Sequence, residues 1–151
     1  MTDVTDELIR DIVEIAKKFG ISQPIDETER EKMTVEQYEN LRFPLVFFNI
    51  TDRSIPYQIS WGNGKYQYEE KIEVILTLES RERSEAFQKI WLFLSNWKAT
   101  NGYFKERKHK RKIRDIFPLQ DTSFYSRNKK YYKKVIQFSY IANYELDRDF
   151  K

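Results

Sequence analysis

The chain of 151 residues has no cysteine, a single histidine, and only four glycines and four prolines. Without cysteine there can be no disulfide and no thiolate metal site, a composition compatible with a reducing compartment. The lone histidine, His109, has no second histidine to join it, so the ligand sets of structural zinc are missing. Lys108 and Lys110 flank it, disfavour its protonated form and repel a metal cation, so it is expected to face solvent. It also leaves serine and threonine hydroxyls without an evident base. No apolar run approaches the ~18–20 residues of a membrane-spanning helix; the uncharged stretch Phe43–Thr51 has the length of a strand. Met1-Thr2-Asp3 lacks the basic start of a secretory signal, so none is expected. There is no glycine-rich phosphate loop, since Gly62 and Gly64 sit in a turn. The acidic group Asp26, Glu27, Glu29 and Glu31 lacks the spacing of a calcium loop and reads as solvated. Catalytic, metal and cofactor residues are therefore all expected to be none.

What is present is aromatic and charged. Aromatic residues make up 16%, as 10 Tyr, 11 Phe and 3 Trp, which argues for a packed core rather than disorder. The length fits one domain, residues 1–151. The net charge of +3 conceals a gradient. Residues 1–50 hold 6 Lys/Arg against 11 Asp/Glu, residues 51–100 hold 7 against 7, and residues 101–151 hold 14 against 6. An acidic front and a basic back suit nucleic acid, an anionic surface, or an acidic partner, including a second copy of the chain.

Periodicity predicts the elements. Leu8, Ile9, Ile12, Val13, Ile15, Ala16 and Phe19 form one stripe of a helix over Asp6–Phe19, with Gly20 as its C-terminal cap. Ser22–Lys32 reads as a polar loop with room for a helical turn. Thr34 and Gln37 match a capping box for a short helix over Val35–Leu41. Leu45–Thr51 predicts a strand with both faces buried, and Pro56–Trp61 a short edge strand. Gly62-Asn63-Gly64 predicts a hairpin into the long strand Lys65–Glu79, whose Ile72, Val74, Leu76 and Leu78 face the core. Its Gln67, Glu69, Lys71, Glu73, Thr77 and Glu79 are expected to face water. Ser80 or Ser84 caps a helix to about Lys98, striped by Phe87, Ile90, Trp91, Phe93, Leu94 and Trp97, with Asn101-Gly102 beyond its end. Lys105–Arg114 reads as irregular, with Ile113, Ile116, Phe117 and Leu119 returning to the core. Asp121–Asn128 reads as a loop and Tyr132–Leu146 as the last strand. The expected class is α+β: an antiparallel or mixed sheet of about four strands with two main helices on one face.

Two patterns bear on chemistry. Asp52, followed by Glu69-Glu70-Lys71, has the residue types of metal-dependent nucleases of the PD-(D/E)xK kind. The alternation of that strand accounts for Glu69, Lys71 and Glu73 as a wet face without any metal. The second pattern is basic: Lys105, Arg107, Lys108, Lys110, Arg111, Lys112 and Arg114, then Arg127, Lys129, Lys130, Lys133 and Lys134, the last group interleaved with Tyr131 and Tyr132. Cations among aromatics suit phosphate contact and base stacking, so a nucleic-acid-binding module over residues 105–134 is one reading. A charged strand edge that discourages aggregation is the other.

Several segments in order resemble the tail terminator (neck) proteins of tailed phages and phage-tail-like particles. They are the helix Leu8–Phe19, then Phe43-Pro44-Leu45-Val46-Phe47, then Ile55-Pro56-Tyr57. Leu76-Thr77-Leu78-Glu79-Ser80 leads into a helix with Ala86 and Ile90, and Val135-Ile136-Gln137-Phe138-Ser139-Tyr140 closes the series. The basic run after the second long helix departs from that pattern. The resemblance implies a non-enzymatic virion protein without cofactor, assembled in the host cytoplasm, forming a hexameric ring. Such a ring caps the tail tube and meets a head-completion or connector protein at the neck. Its partners are thus expected to be its own copies, the tail tube protein and the connector, with DNA as the alternative and no membrane. Acidic residues of 1–50 meeting basic residues of 101–151 on the next copy would suit a head-to-tail ring contact, provided they lie on opposite flanks.

Overall fold

The computed structural model describes residues 4–55, 57–62, 65–83, 85–96 and 110–147. The order of elements is α1 (Val4–Lys18), β1 (Ile25–Asp26), α2 (Glu27–Arg30), α3 (Val35–Glu39), β2 (Leu45–Arg53), β3 (Tyr57–Gly62), β4 (Lys65–Ser80), α4 (Glu85–Ser95), β5 (Lys110–Ser126) and β6 (Lys129–Asp147). The class is α+β, with a mixed six-stranded sheet where the sequence predicts about four strands. Its order is β1-β2-β4-β6-β5, and β3 also pairs with β4. Among the described strands only β1 and β2 run parallel.

Helix α1 begins and ends where its chemistry dictates. Asp6 and Glu7 lie in the first turn and Lys17 and Lys18 in the last, each compensating the helix dipole. Gly20, at φ 70°, closes it. The Ile21 amide donates to the Ala16 carbonyl at 2.9 Å and the Gly20 amide to the Lys17 carbonyl at 3.2 Å, the paired bonds of a Schellman motif. A Cβ at Gly20 would meet nothing within 4 Å, so the only obstacle to another residue is the left-handed backbone. Gly20→Ala is therefore expected to lower unfolding free energy by about 1 kcal/mol. Gly20→Asn is expected to lose less, both being read by urea denaturation.

β2 and β3 run as one interrupted strand along β4. β2 spans partners Glu79 to Ile72, and β3 spans Glu69 to Lys65. At the break the Ser54 amide donates to the Lys71 carbonyl, and the Lys71 amide donates to the Ser54 hydroxyl, both at 2.9 Å. The serine side chain thus replaces a ladder acceptor that the backbone no longer offers. Gly62 pairs with Lys65, the register of the predicted hairpin; Asn63 and Gly64 lie outside the described residues.

One face of the sheet carries the larger core. Val46, Phe48, Ile72, Val74, Leu76, Leu78, Ile136, Phe138 and Tyr140 pack against Leu8, Ile12 and Ile15 of α1 and Phe87, Ile90 and Leu94 of α4. The opposite face has a second, smaller core of Tyr38, Leu45, Phe47 and Tyr131, with Phe43 and Phe124 against it. The Phe43–Pro44 peptide leading into β2 is cis. This second core corrects the expectation of a wet face on β4. Thr77 and Glu79 are buried there, because residues 25–44 fold across that end of the sheet.

The other correction is β5. The segment expected to be irregular and then looped is a 17-residue strand paired with β6, and β6 itself begins at Lys129. Positive φ at Arg127 and Asn128 makes the tight turn between them. Two register shifts, at Arg114/Phe117 and Pro118/Gln120, destroy the period-2 signal that would have revealed β5. Ile113 is buried and Ile116 packs against the core. Phe117 and Leu119 do not return to it: they are 55% and 47% exposed.

Candidate anion-binding cleft

The two basic segments lie on adjacent strands but at opposite ends of one hairpin. Lys112 pairs with Ile141, whereas Lys130 pairs with Tyr125. The eleven residue steps along β6 from Lys130 to Ile141 separate them by roughly 35 Å along the ladder. Lys110, Arg111, Lys112 and Arg114 are at the open end, with Arg114 exposed and Lys112 half-buried. Lys105, Arg107, Lys108 and His109 lie outside the described residues, as do Trp97, Lys98 and the Asn101-Gly102 stop. The side chains of Lys110 and Arg111 also lie outside them. The expected patch over residues 105–134 is thus not one continuous surface among the described residues.

At the turn end the second core decides where the cations go. Tyr131 is fully buried and stacks on Phe124 at 5.2 Å, with Tyr38 and Phe43 each 5.6 Å away. That packing brings the hairpin turn against α3. Arg127 lies 3.9 Å from Glu36 and 3.6 Å from Glu39, and Lys129 lies 3.9 Å from Glu39. Acidic front and basic back therefore meet within one chain at this point, rather than on opposite flanks.

The remaining cations surround a cleft of about 420 Å³. Arg83, just ahead of α4, and Phe87 and Gln88 in its first turn form one wall. Asp121, Thr122 and Ser123 of β5 and Lys130, Tyr132, Lys133 and Lys134 of β6 form the other. The register sets Ser123 opposite Tyr132, Thr122 opposite Lys133 and Asp121 opposite Lys134. By alternation Lys130, Tyr132 and Lys134 share the helix-covered face with Ile136 and Phe138. The Arg83 guanidinium lies 5.7 Å and the Lys130 ammonium 5.3 Å from the Tyr132 ring centroid, and the Lys134 ammonium is 5.7 Å from that of Trp91. Aromatic faces thus hold the cations by their negative quadrupoles without neutralising them. Among the described residues no carboxylate forms an ion pair with Arg83, Lys130 or Lys134. Among the described residues Asp121 is the one acidic residue lining the cleft. Sequence reasoning picked out Lys130, Lys133 and Lys134 but missed Arg83. The available signal was a cation directly before a helix, which opposes the positive end of the helix dipole.

A second polar group is built for stability. Glu79 is fully buried, forms an ion pair with Arg30, and accepts from the Tyr38 hydroxyl at 2.9 Å. The Arg30 guanidinium lies 4.7 Å from the Phe47 ring centroid. Burial pushes the Glu79 carboxyl above its ordinary range, against the opposing pull of Arg30, the Tyr38 hydrogen bond and Lys133. Burial, then the Glu79 charge, pushes the Tyr38 hydroxyl up.

Asp52, Glu69 and Lys71 of the nuclease pattern share the face of the sheet away from α1 and α4, and Glu70 between them lies on the other. Glu70 is buried on the helix-covered side, with the Arg53 guanidinium Nε 2.5 Å from its carboxylate. Asp52 pairs with Glu73 on the other side, and Lys71 reaches Glu73 at 3.1 Å. Among the described residues no group of three or more acids or histidines is placed to hold a metal ion. Among them, too, no helix is long and apolar enough to cross a membrane. No known family model matches the chain, and no curated protein matches it.

Proposed function

We propose that this chain is a non-enzymatic assembly subunit of the tail terminator kind, which closes into a ring of identical copies on a tail tube. One observation carries the reading. Strand β5 is an outer strand of the sheet and, among the described elements, pairs with β6 alone. On it Phe117, Leu119 and Tyr125 are 55%, 47% and 69% exposed. A long outer strand with exposed apolar side chains invites pairing with another chain. Here its start is protected by the cations Lys110 to Arg114, and the stretch from Phe117 to Tyr125 is the specific contact. Among the described strands the sheet's other edge is made by the two-residue β1 and by β3, so the two edges differ and a contact between them is head-to-tail.

Native mass spectrometry and negative-stain microscopy test this. The expected result is a closed ring that binds purified tail tubes. Phe117→Asp with Tyr125→Asp is expected to give monomers with an unchanged melting temperature. A wild-type chain that stays monomeric at all concentrations and salt levels, and ignores tail tubes, overturns the reading.

A further inference from the structure

We propose that the cleft between the start of α4 and the β5–β6 hairpin binds phosphate groups. Its size, about 420 Å³, admits an oligophosphate or a short stretch of nucleic-acid backbone but not a duplex. Among the described residues Arg83, Lys130, Lys133 and Lys134 line it against a single acid, Asp121. Lys133 is partly committed, since it lies opposite the buried Glu79 across the ladder. Arg83, Lys130 and Lys134 have no carboxylate partner among the described residues, so their charge is available to a ligand.

Phosphate fits these donors better than a carboxylate does. It carries more charge, and its several oxygens can accept from a guanidinium fork and two ammonium groups together. Ser123, opposite Tyr132, adds a hydroxyl donor. The Tyr132 ring already carries two cations, which fixes their positions and leaves backbone contact, rather than base stacking, as the mode of recognition. The site stands whether or not the chain forms a ring.

Isothermal titration of the full chain with tripolyphosphate tests the proposal, with a single-stranded oligonucleotide as competitor. Saturable binding that weakens with salt is expected. Arg83→Ala and Lys130→Ala are each expected to weaken it about tenfold, the loss of one charge-assisted hydrogen bond. Both residues are exposed, so these variants should keep the wild-type melting temperature, while Lys112→Ala, at the far end of the hairpin, leaves binding unchanged. Competition by the oligonucleotide identifies nucleic-acid backbone as the source of the phosphate; its failure identifies a small polyphosphate. Two results overturn the proposal: tripolyphosphate binding that is absent or indifferent to Arg83 and Lys130, or a peptide of residues 22–36 that binds the cleft more tightly than tripolyphosphate. The second would make the cleft a site for the acidic segment of another copy.

Discussion

Replacing Arg30 with methionine is expected to lower unfolding free energy by about 3–5 kcal/mol at pH 7, the cost of leaving a buried charge without its partner. Glu79 has no exposed side-chain surface, whereas the Arg30 side chain keeps 25% of its own. The arginine can recover water when the pair is broken; the glutamate cannot. The loss depends on pH in a defined direction. Burial already holds the Glu79 carboxyl above its ordinary value, and removing Arg30 takes away a cause that lowers it. The folded chain then binds a proton more tightly than the unfolded chain does. Stability is thus complete below the ordinary carboxylate range and falls as pH rises through the folded-state value. Denaturation of Arg30→Met should show a deficit that is small in acid and grows as pH rises through the raised folded-state value of Glu79. Adding Glu79→Gln should restore most of it, since the amide oxygen still accepts from Tyr38. A deficit that is independent of pH would show that Arg30 acts through packing on Phe47 and Tyr38 instead.

Phe138→Ala is expected to lower unfolding free energy by about 3–5 kcal/mol, the range for emptying a large aromatic site in a closed core. For a chain of this size the melting temperature should fall on the order of 10 °C. Phe138 is 1% exposed and sits opposite Val74 on the face that α1 and α4 cover. Layers above and below are already in contact, so the space cannot collapse. Tyr125→Ala, at 69% exposure, offers the contrast: little change in stability, with any effect appearing in assembly. Equal losses from the two substitutions would mean that β5 supports the fold rather than a partner.

Features set by short-range rules were legible in the chain. The α1 stripe and its glycine stop, the Thr34–Gln37 capping box, and the alternation from Ile72 to Leu78 all depend on residues a few positions apart. The structure shows the capping box with both reciprocal bonds formed. The hairpin register at Gly62 and Lys65 follows from local turn chemistry in the same way. Boundaries were less legible: α1 begins at Val4 and β6 at Lys129, because neighbouring strands and helices extend an element beyond its own pattern.

Tertiary structure alone decided the rest. β5 is a strand because β6 offers it a full ladder, and its bulges hide the period that sequence reading relies on. Glu79 lies on what alternation marks as a wet face, yet residues 25–44 bury it, and no local pattern records which segment will fold back over a sheet. The charge gradient was visible as composition, but its use was not. Packing of Tyr131 against Tyr38 brings Arg127 and Lys129 onto Glu36 and Glu39. Arg83, Lys130 and Lys134 are left facing one cleft, although Arg83 and Lys130 are 47 positions apart in the chain. Charge is a property of composition, whereas its compensation depends on distances of a few ångströms, and those are set only when the two cores close.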